Sequence, residues 1–141
     1  MGIEESGGLS IFGHVPEKDG ILACLLVVEI LAHTGKTIKE LKADLAEKYG
    51  SICSERLDIK TTIQDQERVL NNLKEFQPRM LAGVKVDCIS EIEGKKLILE
   101  DGNWVLIRAS GTEPLFRIYV ETDSAERLHE LQKEVINKLE L

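Results

Sequence analysis

The stretch "RASGTEPLFRIYVE", Arg108 to Glu121, contains a polar loop between two apolar segments. Trp104–Arg108 before the loop and Leu115–Glu121 after it are rich in the β-branched and aromatic residues typical of strands. Two further dipeptides, Glu93-Gly94 and Asp101-Gly102, are hairpin turn signals. Together these features predict an antiparallel meander with the polar loop at one of its turns.

The segments around the meander predict an α+β fold. Arg56–Thr61 alternates as a half-buried strand does, and Asp65–Phe76 has apolar residues at helical spacing. A last helix begins near Ser124. For residues 51–141 we therefore expect an antiparallel sheet of about four strands with two helices, and we place Trp104 in its core.

Residues 1–50 have a different character. A glycine-rich segment comes first, followed by an apolar helix over Ile21–Ala32 that Asp19 can cap and Gly35 can end. A second helix begins at a capping box, Thr37–Glu40. With no evident sheet, this part is interpreted as the helical remnant of an α/β domain. We expect this apolar helix to be exposed and to form a dimer contact.

Composition narrows the classes of function. The 141 residues are 43% hydrophobic and 30% charged, with a net charge of −7. The acidic balance argues against nucleic acid as a partner, and no apolar run is long enough for a membrane helix. Three widely spaced cysteines fit reduced thiols in the cytoplasm.

The loop after Arg108 offers the groups that a phosphate needs. Arg108 and Arg117 supply guanidinium donors, and Ser110, Gly111 and Thr112 supply amides and two hydroxyls. The alternative from composition alone is an ordinary polar hairpin loop with two surface arginines.

Three segments resemble the α-D-phosphohexomutase family, which contains the phosphoglucomutases and phosphomannomutases. "RASGTEPLFRIYVE" is similar to the phosphate-binding loop of the family's C-terminal domain. "EESGG", Glu4 to Gly8, resembles its sugar-binding loop with a Glu-x-Ser signature. "HVPEKDGILA", His14 to Ala23, looks like the segment that follows this loop in phosphoglucomutase-type members. The three occur in the family's order.

The resemblance implies a division of roles. Residues 1–50 would be the end of the third, sugar-binding domain, and residues 51–141 the fourth, phosphate-binding domain, whose fold is like that of the TATA-box-binding protein. The expected phosphate clamp consists of Arg108, Ser110, Gly111, Thr112 and Arg117. Glu4 and Ser6 would contact sugar hydroxyls. Lys18 would lie near the reacting centre, and His14 matches a histidine that neighbours it. The alternative for Lys18 is an ordinary helix start, and the alternative for His14 is a surface histidine or one with its hydrogen bonds satisfied.

The resemblance also implies parts that this sequence lacks. The family's serine nucleophile loop, similar to "TASHNP", and its magnesium loop, similar to "DGDADR", do not occur. The expectation is therefore the C-terminal portion of a hexose 1-phosphate/6-phosphate mutase, inactive alone. Its partners would be hexose phosphates and the remaining domains, which would hold the magnesium. The alternatives are a stand-alone sugar-phosphate-binding module and a nucleic-acid-binding module.

Overall fold

The computed structural model describes residues 1–4 and 7–141, which form two compact units, Met1–Tyr49 and Gly50–Leu141. The N-terminal unit contains a two-stranded antiparallel hairpin and two helices. Its elements are β1 (Gly2–Ile3), β2 (Leu9–Ser10), α1 (Gly20–Thr34) and α2 (Ile38–Tyr49).

The ends of α1 and α2 are formed by the residues that the sequence indicated. The Asp19 carboxylate accepts hydrogen bonds from the Ile21 and Leu22 amides at 3.0 Å, and Gly35 ends α1 in the left-handed conformation. The Thr37 amide donates to the Glu40 carboxylate at 2.7 Å, and the Glu40 amide donates to the Thr37 hydroxyl at 3.3 Å. The predicted capping box is confirmed.

Helix α1 exposes apolar side chains, of which Ile21 is 77% and Leu25 61% accessible. No residue of α1 is buried. Among the described residues no single helix has the length and apolar character of a membrane span. Helices α1 and α2 meet those two criteria only when taken together, and they are bent by 84° at the break between them.

The C-terminal unit is a six-stranded antiparallel sheet with two helices. The α+β prediction is confirmed, but the strand number of about four was too low. Part of the difference is the two-residue strand β4. Along the chain the elements are β3 (Cys53–Lys60), α3 (Ile63–Glu75), β4 (Met80–Leu81), β5 (Val84–Ser90), β6 (Lys95–Leu99), β7 (Trp104–Ala109), β8 (Leu115–Thr122) and α4 (Ala125–Leu139). The spatial order is β3-β8-β7-β6-β5-β4.

One face of this sheet forms the core with α3 and α4. Strands β6, β7 and β8 alternate, so every second side chain enters a single apolar cluster with the two helices. The fully buried members include Leu97, Val105, Ile107, Phe116, Ile118, Val120, Leu131 and Val135.

The intervening side chains lie on the opposite face, here called the open face. It bears Arg108 and Arg117 near one end of β7 and β8. Trp104 also lies there and is only half-buried, so its placement in the core was wrong. Its indole N–H donates to Glu121 at 2.8 Å, and the Lys96 ammonium sits 3.8 Å from the ring centre.

Candidate functional site

Two arginines face each other across neighbouring strands. Arg108 on β7 and Arg117 on β8 are register partners in the antiparallel pair, so both point to the open face. Like charges directly opposite each other in a sheet are destabilising. Within residues 1–4 and 7–141, neither guanidinium forms a salt bridge with a carboxylate. The pair is therefore a concentrated positive charge that an anion would relieve.

The Arg117 side chain carries an unsatisfied donor. Its Nε is buried and has no hydrogen-bond partner in the described part of the chain. A buried donor left unpaired costs about 1–3 kcal/mol. Most buried polar atoms in folded proteins are paired, and among the described residues the Arg127 Nε is the other unpaired side-chain donor or acceptor of this kind. Arg127 forms a salt bridge with Asp101, whereas Arg117 has no carboxylate partner in the described ranges, so the Arg117 guanidinium is the one that an anion would complete.

The loop between the arginines is organised by Ser110. Its amide donates a hydrogen bond to the Leu115 carbonyl at 2.9 Å, and its hydroxyl accepts hydrogen bonds from the amides of Thr112 and Glu113 at 3.4 Å each. The Ser110 hydroxyl is thus engaged inside the loop, where it fixes the turn. The Gly111 amide has no partner among the described residues, which leaves it available to a ligand.

An open cleft of about 530 Å³ brings these groups together. Four of the five predicted clamp residues line it, and Thr112 is the exception. Two lining residues come from the β5–β6 turn and were not predicted as part of the site. The complete lining is Glu93, Gly94, Arg108, Ala109, Ser110, Gly111 and Arg117.

Gly94 is required by the close approach of its turn to β7. Its φ is +122°, a conformation that side-chain-bearing residues rarely adopt. A Cβ there would lie 2.6 Å from the Ile107 carbonyl oxygen and 2.7 Å from the Arg108 Cβ. The turn therefore supports the backbone from which the Arg108 side chain projects.

The N-terminal unit brings Glu4 and Lys18 together. The Lys18 ammonium donates to the Glu4 carboxylate at 2.9 Å, and both residues line a cleft of about 320 Å³. Both side chains are about half exposed. Ser6, the other residue predicted to contact sugar, lies outside the described residues.

His14 contacts the helix cap instead of this cleft. Its Nε2 lies 2.9 Å from the Asp19 carboxylate. This hydrogen bond, with the Leu22 and Ile21 amides, lowers the pKa of Asp19 below its usual value. In this arrangement His14 supports the start of α1.

No three His, Cys, Asp or Glu side chains of the described residues come together as metal ligands would. Magnesium prefers several oxygen ligands, including one or two carboxylates. The residues that the structure describes offer no larger cluster of such ligands.

Relatives of known class match nearly the whole chain. The phosphoglucomutase/phosphomannomutase of Thermococcus kodakarensis is 34% identical over 140 residues, which cover 99% of this chain and 28% of that protein. The phosphoglucosamine mutase of Limosilactobacillus fermentum is 32% identical over 129 residues, covering 92% and 24% respectively. The chain thus spans about a quarter of the length of these relatives.

Solved structures share the fold. The phosphoglucomutase parafusin of Paramecium, in its open form, superposes with a TM-score of 0.67 at 25% identity, over 96% of this chain and 28% of that one. A phosphoglucomutase/phosphomannomutase family protein of Burkholderia thailandensis gives a TM-score of 0.70 over 98% of this chain and 27% of that one. Because the second pair is only 19% identical, it supports the fold alone.

Two family models together span the chain almost from end to end. Residues 40–138 match the C-terminal domain of phosphoglucomutase/phosphomannomutase, and residues 1–49 match its alpha/beta/alpha domain III. The first match alone includes the arginine pair, the loop and the β5–β6 turn. The chain belongs to the phosphoglucomutase/phosphomannomutase family of phosphohexomutases.

Proposed function

We propose that this chain is the sugar-phosphate-binding portion of a mutase that interconverts hexose 1-phosphates and 6-phosphates. In this proposal the C-terminal unit, close to residues 51–141, is the fourth domain and grips the phosphate that is not reacting. Residues 1–50 are the end of the third domain and contact the sugar. The family membership and the open cleft on the sheet both support this assignment.

The observation that carries the proposal is the arginine pair, which has no carboxylate partner among the described residues, together with the unsatisfied Nε of Arg117. Arg108 and Arg117 repel each other in the free protein, and a phosphate between them would neutralise both. Arginine suits the role because its planar fork matches the geometry of phosphate oxygens. The Gly111 amide supplies a further donor, and Ser110 holds the loop in shape. Thr112, which does not line the cleft in the free chain, would be the fifth member of the clamp.

A clamp of this kind suits a reaction in which the intermediate must turn round. Guanidinium groups and backbone amides recognise the phosphate itself and not the sugar carbon that bears it. The same site can therefore hold a bisphosphorylated sugar in either orientation. Its contribution is positioning and charge stabilisation, which dominate enzymatic phosphoryl transfer.

In the N-terminal unit we assign sugar hydroxyls to Glu4 and Ser6. Lys18 would act near the reacting centre as an acid, base or electrostatic group, and its 2.9 Å contact with Glu4 is consistent with a shared site. His14 would act indirectly, since its described contact is with Asp19.

The remaining parts of the reaction belong to other domains of the enzyme in this proposal. They would supply the serine nucleophile and the magnesium ion. We place the enzyme in the cytoplasm. We also propose that the exposed side of α1 can pair with a second copy of the chain when those domains are absent.

The test is the affinity of this chain for inorganic phosphate, measured by calorimetry, before and after Arg117→Ala. Loss of a charge-assisted hydrogen bond of about 1.5–3 kcal/mol predicts a roughly ten- to hundredfold weaker Kd. Arg79→Ala is the control, because Arg79 is exposed, does not line the cleft and carries the same charge. Equal affinities for the two variants would contradict the proposal.

Calorimetry of the unaltered chain with hexose phosphates tests the alternative of a stand-alone binding module. A module of that class needs a clamp that binds sugar phosphates at physiological concentrations without any further domain. If the unaltered chain binds hexose phosphates at micromolar concentrations and the gene encodes no further domain, the module hypothesis is favoured over the mutase.

A further inference from the structure

The cleft contains a carboxylate that a purely cationic clamp does not need. Glu93 lines the same cleft as Arg108 and Arg117. Within the described ranges it forms no salt bridge with either arginine, nor with any other cation. An unpaired negative charge beside an anion site weakens binding of any ligand that has only acceptor atoms.

The turn that bears Glu93 is fixed on one side by Gly94. The approach of Gly94 to the Ile107 carbonyl and to Arg108 leaves no room even for a methyl group. The backbone of the turn is therefore in direct contact with β7, next to the clamp.

Lys95 fixes the turn on the other side. It is only 3% exposed, and its ammonium donates to the Lys74 carbonyl at 2.7 Å, in the last turn of α3. It also pairs with Glu91 at 3.1 Å. A buried charge with two such contacts holds a backbone firmly, because releasing it would leave the charge without partners. The backbone that bears Glu93 at the cleft is thus held by the contacts of Gly94 and of Lys95.

The chemistry of a carboxylate defines what it can accept. An ionised carboxylate has only acceptor oxygens and needs a donor opposite it. A phosphate monoester has a second pKa of about 6 and keeps a proton on part of its population at neutral pH. A sugar ring offers hydroxyl donors next to the phosphate. A sulfate monoester without a sugar ring offers neither.

We propose that Glu93 is a specificity-determining residue that accepts a hydrogen bond from a ligand hydroxyl beside the bound anion and rejects anions without one. This inference rests on the proposed phosphate-binding function of the same cleft. The hydroxyl belongs either to the sugar or to the phosphoryl group, and the choice of probes separates these sources.

The experiment measures Kd values of the 141-residue chain and of Glu93→Gln for glucose 1-phosphate, methyl phosphate and methyl sulfate. Removing the charge should strengthen methyl sulfate binding roughly tenfold, as expected for about 1.4 kcal/mol of relieved repulsion. The titrations are run near pH 5, where a phosphate monoester carries about one negative charge, as methyl sulfate does, so that the relieved repulsion is similar for all three probes. The preference for glucose 1-phosphate over methyl sulfate should then fall roughly five- to tenfold, because Gln accepts only a neutral hydrogen bond where Glu accepts a charge-assisted one. If the preference for methyl phosphate over methyl sulfate falls too, the phosphoryl hydroxyl is the donor; if it holds, the sugar hydroxyl is.

Glu113→Gln is the matched control, since Glu113 is exposed in the neighbouring loop but does not line the cleft. Unchanged preferences in Glu93→Gln, or an equal change in Glu113→Gln, would overturn the inference and leave the phosphate clamp intact. If the unaltered chain binds none of the three probes, the proposed function fails and this inference with it.

Discussion

The turn at Gly94 allows a prediction in which stability and binding change together. Gly94→Ala places a methyl group 2.6 Å from the Ile107 carbonyl and forces a non-glycine residue to adopt a φ of +122°. Backbone strain of this kind costs about 1–3 kcal/mol. Displacing the packed neighbours adds about 1–3 kcal/mol.

The neighbouring β6–β7 turn offers a matched control. Gly102 also has a positive φ, +85°, but a Cβ there would meet nothing within 4 Å. Gly102→Ala should therefore lower the free energy of unfolding only by the cost of the backbone strain. The difference between the two variants should be about 1–3 kcal/mol, which corresponds to about 4 °C or more in Tm for a unit of this size.

Two assays check this prediction. Thermal unfolding followed by circular dichroism gives the difference in Tm. A phosphate titration below both transitions should show weaker binding for Gly94→Ala alone, because the displaced neighbour is the Arg108 backbone. Equal losses of stability, or unaltered phosphate binding in Gly94→Ala, would refute the argument that this turn supports the clamp.

Three further predictions concern other parts of the chain. The pKa of Asp19 is lowered from 3.8, so the stability that this carboxylate gives to the start of α1 is present above pH 3.8 and is lost as the pH falls through the lowered pKa. The NMR shift of the Ile21 amide, which donates to Asp19, should change over that pH range, and Asp19→Asn should abolish the change. The purified chain with magnesium and a hexose bisphosphate should show no mutase turnover in a coupled assay, and any turnover would contradict the assignment of nucleophile and metal to other domains. Sedimentation should show self-association that Leu25→Glu abolishes, whereas a concentration-independent monomer would exclude the α1 contact.

Much of the clamp could be predicted from sequence because its parts are close together in the chain. Arg108 and Arg117 flank one short loop, and strand pairing on either side of it brings them into register. The capping box and the glycine after α1 could also be predicted from sequence, because each depends on residues within a few positions of one another.

The other wall of the cleft depends on contacts distant in sequence. Glu93-Gly94 was recognised only as a turn, and its proximity to Arg108 arises from the pairing of β6 with β7. The extra strand β4 was missed because the turn after it, Ala82-Gly83, lacks the usual Asn-Gly or Asp-Gly signal, although both residues have positive φ.

The misplacement of Trp104 has a different cause. Trp104, Val105, Leu106 and Ile107 are all apolar, so period-two alternation does not distinguish the two faces of β7. Packing against the helices decides that Val105 and Ile107 face the core. Trp104 therefore lies on the open face, where its indole N–H donates a hydrogen bond to Glu121.

The central claim is that the cleft between the arginine loop and the β5–β6 turn binds phosphate. An amide-resolved NMR titration of the chain with glucose 1-phosphate tests it most directly. The account predicts saturable shifts at Arg108–Arg117 and at Glu93-Gly94, with the Gly111 amide among the largest. Saturable shifts that avoid both segments, or no shifts at millimolar ligand, would contradict it.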